Sequence, residues 1–407
     1  VDPATSITGF AIDSKNAQPG RVFIAIKGAR TDGHLYVEEA FEAGAIAALV
    51  EKPVAGPHIL VVDVVQALAQ FAASQRDTFT GPVIGVTGSY GKTSTKELIA
   101  AALSPLGPIL KSIGNKNTEY TAPLLWGSLE PEHKGVVAEL AMRGFGQIAH
   151  LASFTKPTLG VITAIGTSHL ELLGSREGIA RAKAELLETL PQDGTAILWE
   201  EDGFKDFLSK KAPCRVRTFG YSEGAECRVL GYKAIDWGKS CVLLYLKGQS
   251  IEAELPIVGR HQAANAAAAL LVADTLGVDL HRAAEQLAKA TFPPNRMQVI
   301  QLEDKTVVLD AYNANPDTVE AAIRTLAEVP TKGKRYVILG EMVELGELSE
   351  LGHGKVGRAL AEYSPDGVLL YGAMVRHTYE EALRAGYPEN SILLTQDFSE
   401  IRAYLDR

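Results

Sequence analysis

Short apolar runs recur along the chain, separated by stretches whose apolar positions return every three or four residues. The first pattern reads as buried strand and the second as amphipathic helix. Near the N-terminus, Arg21–Ile26 and Ala47–Val50 read as strands around a helical stretch, Tyr36–Ala43, with a turn at Pro19-Gly20. A helical run, Val64–Asp77, then stops at Gly81-Pro82, where the pattern breaks. Beyond it, Pro82–Val86, Gly135–Leu140, Thr158–Ile165 and Thr195–Trp199 read as strands. They alternate with helical patterns at Lys96–Leu106, Gln147–Phe154 and Arg176–Leu190, which predicts βαβ units and a largely parallel sheet. From Cys227 to Val258 the runs shorten, with turns at Trp237-Gly238 and Lys247-Gly248, and an antiparallel insertion is expected. A helix, His261–Leu276, precedes a second break at Pro293-Pro294-Asn295. Finally, Val307–Asp310, Tyr336–Leu339, Gly367–Tyr371 and Ile392–Thr395 alternate with helical stretches and predict another open α/β sheet. The expected fold class is therefore α/β in three domains, divided as 1–79, 80–293 and 294–407: a small α/β domain, a central P-loop-type parallel sheet and a C-terminal Rossmann-like domain.

Composition narrows the functional classes. A chain of 407 residues exceeds one ordinary core, and 46% hydrophobic with 22% charged residues is usual for globular proteins. A net charge of -9 argues against nucleic acid as the main partner. Cys214, Cys227 and Cys241 form no CxxC pair, so neither a zinc knuckle nor a disulfide framework is indicated, and a reducing cytoplasm fits. No apolar run approaches the ~20 residues of a membrane span, and no basic-then-apolar signal opens the chain, which starts at Val1 without Met.

The chemistry centres on Thr87–Thr95, TGSYGKTST, between a predicted strand and a predicted helix. Backbone N–H groups of such a glycine loop and the helix N-terminus both point at an anion. Gly88, Ser89 and Gly91 would form the cradle, Lys92 would reach the outer phosphates, and Thr93 or Ser94 would offer a hydroxyl to Mg²⁺. Val86 stands where the longer P-loop spacing has glycine, so the match is to GxxGK[ST]; a glycine turn capping a helix reads the same way. Parallel sheets bind ligands at the carboxyl ends of their strands. Glu139 and His169 fall there, with Lys183 on the following helix, and carboxylate oxygens suit Mg²⁺ although imidazole is a less usual ligand. Taken singly, His169 reads as a loop histidine, and Lys183 as part of a solvated face with the Glu177–Arg181 pair. His261 and Asn265 lie one turn apart at the start of an alanine-rich helix, as a cap on a core helix or as readers of a nucleobase. Asn315-Pro316-Asp317 reads as N-cap, first turn and dipole partner, leaving Asp310, Tyr312 and Asn313 without a structural explanation. Asp13-Ser14-Lys15 and Thr31-Asp32-Gly33-His34 read first as turn chemistry.

Taken together, TGSYGKTST, VVAELAMRGFGQI, ITAIGTSHLELLGSREGIARAK, GRHQAANAAAA, DAYNANPDT and LGEMVELGELSELGH occur in an order that resembles the Mur ligase family across nearly the whole chain. The last two motifs are most similar to the branch that adds D-alanyl-D-alanine to UDP-N-acetylmuramoyl-tripeptide. The resemblance implies an ATP-dependent, ADP-forming amide ligase that works through an acyl phosphate in peptidoglycan precursor synthesis. It implies small-molecule partners only, a cytoplasmic monomer, and Mg²⁺, in two sites, as cofactor with ATP. Ser14, Lys15, Asp32 and His34 would face the uridine nucleotide. Asn115 and Asn117 would follow on the sugar or peptide, although the family's adjacent Asn-Asn is split here by Lys116. Lys92 and Thr93 would hold ATP phosphates and Mg²⁺, Glu139 and His169 would serve the metal sites, and a carbamylated Lys183 would hold the second metal. Asn265 would meet adenine beside His261, and Arg296 would reach ATP from the last domain along with Asn313 and Asn315. Glu344 and His353 would contact the dipeptide or assist closure. Glu341 replaces a common aspartate, and Arg260-His261-Gln262 replaces a frequent His-Asn. The competing readings are a Mur-type ligase adding the third residue, a folylpolyglutamate synthetase, and a catalytically silent nucleotide-binding sensor.

Overall fold

The computed structural model describes residues 6–28 and 31–405. Four strands, β1 (Gly9–Ala11), β2 (Arg21–Ile24), β3 (Ala47–Val50) and β4 (His58–Leu60), form an all-parallel N-terminal sheet in sequence order. Alternation assigns Phe23, Ala48 and Val50 to one face and Val22, Ile24, Ala47 and Leu49 to the other, where they meet Val64 and Leu68 of helix Val64–Asp77. Further along the same helix, Ala72 belongs to the central core. Arg76 there donates to the carbonyls of Thr155 and Lys156, at 3.0 and 3.1 Å. One helix therefore serves two cores.

The central sheet contains β5 (Val83–Thr87), β6 (Ile109–Lys111), β7 (Gly135–Glu139), β8 (Leu159–Ile162), β9 (Thr195–Trp199), β10 (Arg215–Gly220), β11 (Cys227–Asp236), β12 (Lys239–Leu246) and β13 (Gln249–Leu255). Their spatial order is β13-β12-β11-β10-β9-β8-β5-β7-β6. The strands from β6 through β11 pair in parallel, and the expected antiparallel stretch is no separate module: it continues the same sheet edge-on from β10. Helices Lys92–Leu103 and Arg260–Thr275 cover one face and helices Gln147–Thr155 and Arg176–Glu188 the other. Alanines along Arg260–Thr275 are almost all buried, which lets that helix lie close against its neighbour.

In the C-terminal domain, β16 (Tyr336–Leu339), β17 (Gly367–Tyr371) and β18 (Ile392–Thr395) form a parallel sheet, preceded in the chain by β14 (Gln298–Gln301) and β15 (Thr306–Leu309). Here the expectation is corrected. The Val307–Asp310 run does not join the C-terminal sheet but pairs antiparallel with β14, and Val308 leans on the central core. Helix Pro316–Glu328 starts from a capping box: Asn315 Oδ1 accepts from the N–H groups of Asp317 and Thr318 at 3.1 and 3.0 Å, and Thr318 Oγ1 accepts from the Asn315 N–H at 3.1 Å. Among the described residues no helix is long and apolar enough to cross a membrane.

Candidate functional site

Register explains how the site assembles. Val86 pairs with Glu139 on one side of β5, and Thr87 pairs with Ile162 on the other. The glycine loop after β5, the end of β7 and the loop after β8 are therefore neighbours by sheet geometry. Gly91, with φ of 79°, supplies the left-handed turn from which helix Lys92–Leu103 starts, four residues earlier than the hydrophobic period suggests. Gly88 lies so close to Thr163 Oγ1 that any Cβ would collide with it.

A cavity of about 1080 Å³ opens over this loop and is walled by both the central and the C-terminal domains. It gathers most of the expected residues: Ser89, Gly91, Lys92, Thr93 and Ser94; Asn115, Asn117, Glu139 and His169; His261 and Asn265; Arg296, Asn313, Asn315 and Glu344. Gly88 lies beneath the loop, and Lys183 is buried behind the lining rather than solvated. Arg181 stacks over Phe145, 5.6 Å from the ring centroid, rather than pairing with Glu177.

Lys92 Nζ donates to the Gly88 carbonyl at 2.8 Å. Burial pushes this ammonium below its ordinary range, Glu139 pulls it back up, and Arg296 adds to the downward push. Glu139 is 1% exposed. Its Oε1 accepts from Asn117 Nδ2 at 2.8 Å and its N–H donates to Ser112 Oγ at 3.0 Å, whereas Oε2 has no hydrogen bond among the described residues. Thr93 Oγ1 is likewise buried without a hydrogen-bond partner among the described residues. Two such oxygens on one cavity wall are costly unless something binds them. Oxygen donors suit Mg²⁺, which takes one or two protein ligands plus substrate phosphates. His169 Nδ1 sits 2.7 Å from Glu344 Oε2 of the C-terminal domain, with Arg143 3.8 Å from the other carboxylate oxygen. Burial lowers the His169 pKa, and Glu344 opposes that shift. Lys183 is 2% exposed, and no hydrogen bond or ion pair reaches its ammonium among the described residues. Burial first and Lys92 second hold its pKa well below the usual lysine range.

Arg296 lies over the Tyr312 ring, 4.1 Å from its centroid. Asn265 faces the loop itself: its Nδ2 donates to Gln262 at 3.1 Å, and its Oδ1 lies 3.2 Å from where a Gly91 Cβ would stand. The apolar wall is elsewhere, in Trp199, Phe219, Tyr221 and Ile257, which the sequence reading did not single out. A flat aromatic surface of this kind suits a base. His261 has a buried Nδ1 with no hydrogen-bond partner among the described residues, and burial lowers its pKa to about 4.

Two further residues went unnoticed in the sequence. Lys96 is 0% exposed, donates to the carbonyls of Ser112 at 2.6 Å and Gly114 at 3.3 Å, and lies 3.1 Å from Glu97 and 3.7 Å from Glu139 Oε2. Ser168 sits between the glycine loop and Asn315.

The remaining expected residues lie apart from the cavity. His34 Nδ1 is 2.6 Å from Asp32 Oδ1, its Nε2 accepts from the Glu51 N–H at 2.8 Å, and Lys52 reaches Asp32 Oδ2 at 2.8 Å. Lys52 first, and then the His34 contacts, hold the Asp32 carboxyl well below the usual range. Both side chains thus shape their own loop. Ser14 is buried and Lys15 exposed in a turn closed by Asp13, whose Oδ1 accepts from the Lys15 N–H at 3.1 Å. His353 is buried inside the C-terminal domain, with Nδ1 2.8 Å from the Ser349 carbonyl and Nε2 3.3 Å from the Met342 N–H, so it is not placed for the dipeptide. Glu341 accepts from the N–H groups of Ala373 and Met374, at 2.6 and 2.9 Å.

The sequence matches the Mur ligase family, catalytic domain over residues 6–76, the Mur ligase middle domain over 86–273, and the Mur ligase, glutamate ligase domain over 295–406. It is 36% identical over 401 residues to the UDP-N-acetylmuramoyl-tripeptide–D-alanyl-D-alanine ligase of Synechocystis sp., covering 97% of this chain and 84% of that one. Its fold is similar to MurF from Acinetobacter baumannii, with a TM-score of 0.89 and 31% identity over 99% of this chain and 87% of the other. It also resembles the MurF ligase from Thermotoga maritima in complex with ADP, with a TM-score of 0.83 and 31% identity over 100% and 92% of the two chains.

Proposed function

The chain belongs to the Mur ligase family, and we propose that it adds D-alanyl-D-alanine to UDP-N-acetylmuramoyl-tripeptide, cleaving ATP to ADP and phosphate. The observation that carries this reading is the similarity over 97% of the chain to a ligase of that name, combined with a cavity in which the buried oxygens of Thr93 and Glu139 make no hydrogen bond among the described residues.

In the reaction, the tripeptide carboxylate attacks the γ-phosphorus of ATP, the bond to the β-phosphate oxygen breaks, and an acyl phosphate and ADP result. The dipeptide amine then attacks the acyl carbon, loses a proton and displaces phosphate, leaving the amide. The protein aligns these groups and neutralises charge. Lys92 leaves the Gly88 carbonyl for the outer phosphates, and Arg296 approaches them from the C-terminal domain. Thr93 Oγ1 and Glu139 Oε2 would hold Mg²⁺, which offsets charge on the phosphates when bound. Asn117 holds one carboxylate oxygen of Glu139 and Ser112 holds its backbone N–H, which leaves Oε2 for the metal. His169 keeps Nε2 for the site while Nδ1 faces Glu344. The depressed pKa of Lys183 favours its neutral amine, the form that adds carbon dioxide, and the carbamate oxygens would hold a second Mg²⁺. The aromatic wall would take adenine and the N-terminal domain, residues 1–79, the uridine nucleotide, with 80–293 and 294–407 closing on ATP. We place the enzyme in the cytoplasm as a monomer, where its nucleotide substrates are.

The test is phosphate release from ATP with Mg²⁺, UDP-N-acetylmuramoyl-tripeptide and D-alanyl-D-alanine, omitting each in turn. Release should require every component and yield a product heavier by the dipeptide less water. Turnover only with another amine or acceptor would move the chain to a sister ligase, and no turnover with any pair would favour the silent sensor.

A further inference from the structure

Ser89 of the glycine loop is clasped at three points by the loop that follows β8. Its N–H donates to the Ala164 carbonyl at 2.8 Å, its Oγ accepts from the Gly166 N–H at 2.9 Å, and its carbonyl accepts from Ser168 Oγ at 3.1 Å. Ser168 Oγ in turn accepts from Asn315 Nδ2 of the C-terminal domain at 3.2 Å. All three side chains are buried, at 6% for Ser89, 6% for Ser168 and 5% for Asn315. The polarity of this chain is fixed. Asn315 Oδ1 is committed to two N–H groups of its own helix, so only its NH₂ faces Ser168. The single Ser168 proton is then left for the Ser89 carbonyl. Fit at the boundary is close: a Cβ on Gly166 would stand 2.6 Å from the Tyr90 ring and 2.9 Å from Asp317 Oδ2. His169, which follows Ser168, makes its own contact across the same boundary, to Glu344.

Resting on the function proposed above, we infer that Ser168 is a positioning residue that couples seating of the C-terminal domain to the phosphate-binding shape of the glycine loop. Among the described residues no peptide bond is cis, so the Ser89 carbonyl and the Tyr90 N–H point in opposite directions from one rigid plane. Pinning that carbonyl therefore aims the Tyr90 N–H, which makes no hydrogen bond to protein among the described residues. When Asn315 is in place, Ser168 is oriented, the peptide plane is locked, and a backbone donor is ready for a phosphate oxygen. When the C-terminal domain lifts away, that carbonyl keeps only the long 3.5 Å contact from Lys92 Nζ beside an unoriented Ser168, and the plane can rock.

Two substitutions separate this from a purely structural role. Ser168→Ala removes the relay, while Asn315→Asp keeps the capping oxygen, strips the donor and gives the Ser168 proton a competing acceptor. Affinity for a non-hydrolysable ATP analogue with Mg²⁺, read by calorimetry, should fall about three- to tenfold in each, with melting temperature little changed. In the double variant, Asn315→Asp should add less than about twofold to the effect of Ser168→Ala, because both act through one hydroxyl. Ser168→Thr, which keeps the hydroxyl, should restore affinity. Wild-type affinity in Ser168→Ala, or effects of the two substitutions that multiply, would overturn the coupling. If Ser168→Ala fails to fold, Asn315→Asp with wild-type affinity does the same. Nucleotide binding needs neither the tripeptide nor the dipeptide, so a wild-type protein that binds nucleotide but ligates nothing would sink the proposed function and leave this result readable.

Discussion

Lys96→Met is a sharp probe of the electrostatics beneath the site. Methionine matches the lysine stem in length and bulk, so packing loss should stay below about 1.5 kcal/mol. The charge is a different matter. Lys96 is fully buried and is the cation nearest Glu139 Oε2, at 3.7 Å, while Glu97 keeps a second partner in Lys111 at 2.5 Å. Glu139 alone is stranded by the substitution. Breaking a buried pair from one side costs about 3–5 kcal/mol, a figure that already includes the lost bond to the Ser112 carbonyl. For a domain of this size each kcal/mol moves the melting temperature by about 2–4 °C, so the central-domain transition should fall by about 6–20 °C in scanning calorimetry. Adding Glu139→Gln should recover much of the loss, because the stranded charge is then gone. Mg²⁺ should also raise the melting temperature of Lys96→Met more than that of the wild type, since a second cation can take the missing role. A drop of less than about 2 °C, with no response to Glu139→Gln, would refute the claim that Lys96 compensates Glu139.

Lys183→Met should raise the melting temperature near neutral pH, because it removes a buried amine that no hydrogen bond or ion pair reaches among the described residues; it should also abolish ligation, and calorimetry beside the phosphate assay checks both. His261 predicts a pH dependence: with its folded pKa lowered to about 4, its contribution is full above about 6.5, the unfolded value, and is lost as pH falls from there towards about 4. Urea unfolding across that window should show the slope, and His261→Gln should flatten it.

The glycine loop, the strand ends and the polar side chains they bring to the cavity were legible because they follow local rules. A glycine-rich turn after an apolar run announces itself, and parallel alternation sends Glu139 and His169 to the same rim. What escaped depended on distant contacts. Lys96 sits on a helix buried on nearly every side, which has no polar face to mark the position as unusual. Ser168 has no pattern at all; only the approach of Asn315 gives it meaning. Trp199, Phe219, Tyr221 and Ile257 come from separate segments and meet only once β9 and β10 pair. The hairpin of β14 and β15 was misassigned because QVIQ carries too little apolar signal to reveal a partner for Val307–Leu309. Lys183 was read on a solvated face because its helix is rich in charge, although the Lys183 position itself points inward.

The helix Val64–Asp77, which gives Val64 and Leu68 to the N-terminal sheet and Ala72 to the central core, decides where the molecule can be divided. A cut on either side of it leaves one fragment with an uncovered apolar seam, so the first two domains have to be expressed as one piece. The C-terminal domain meets them both through polar contacts such as Asn315 with Ser168 and Glu344 with His169 and through Met297, Val308 and Val329, which pack into the central core. A separate C-terminal polypeptide would therefore uncover these three side chains as well.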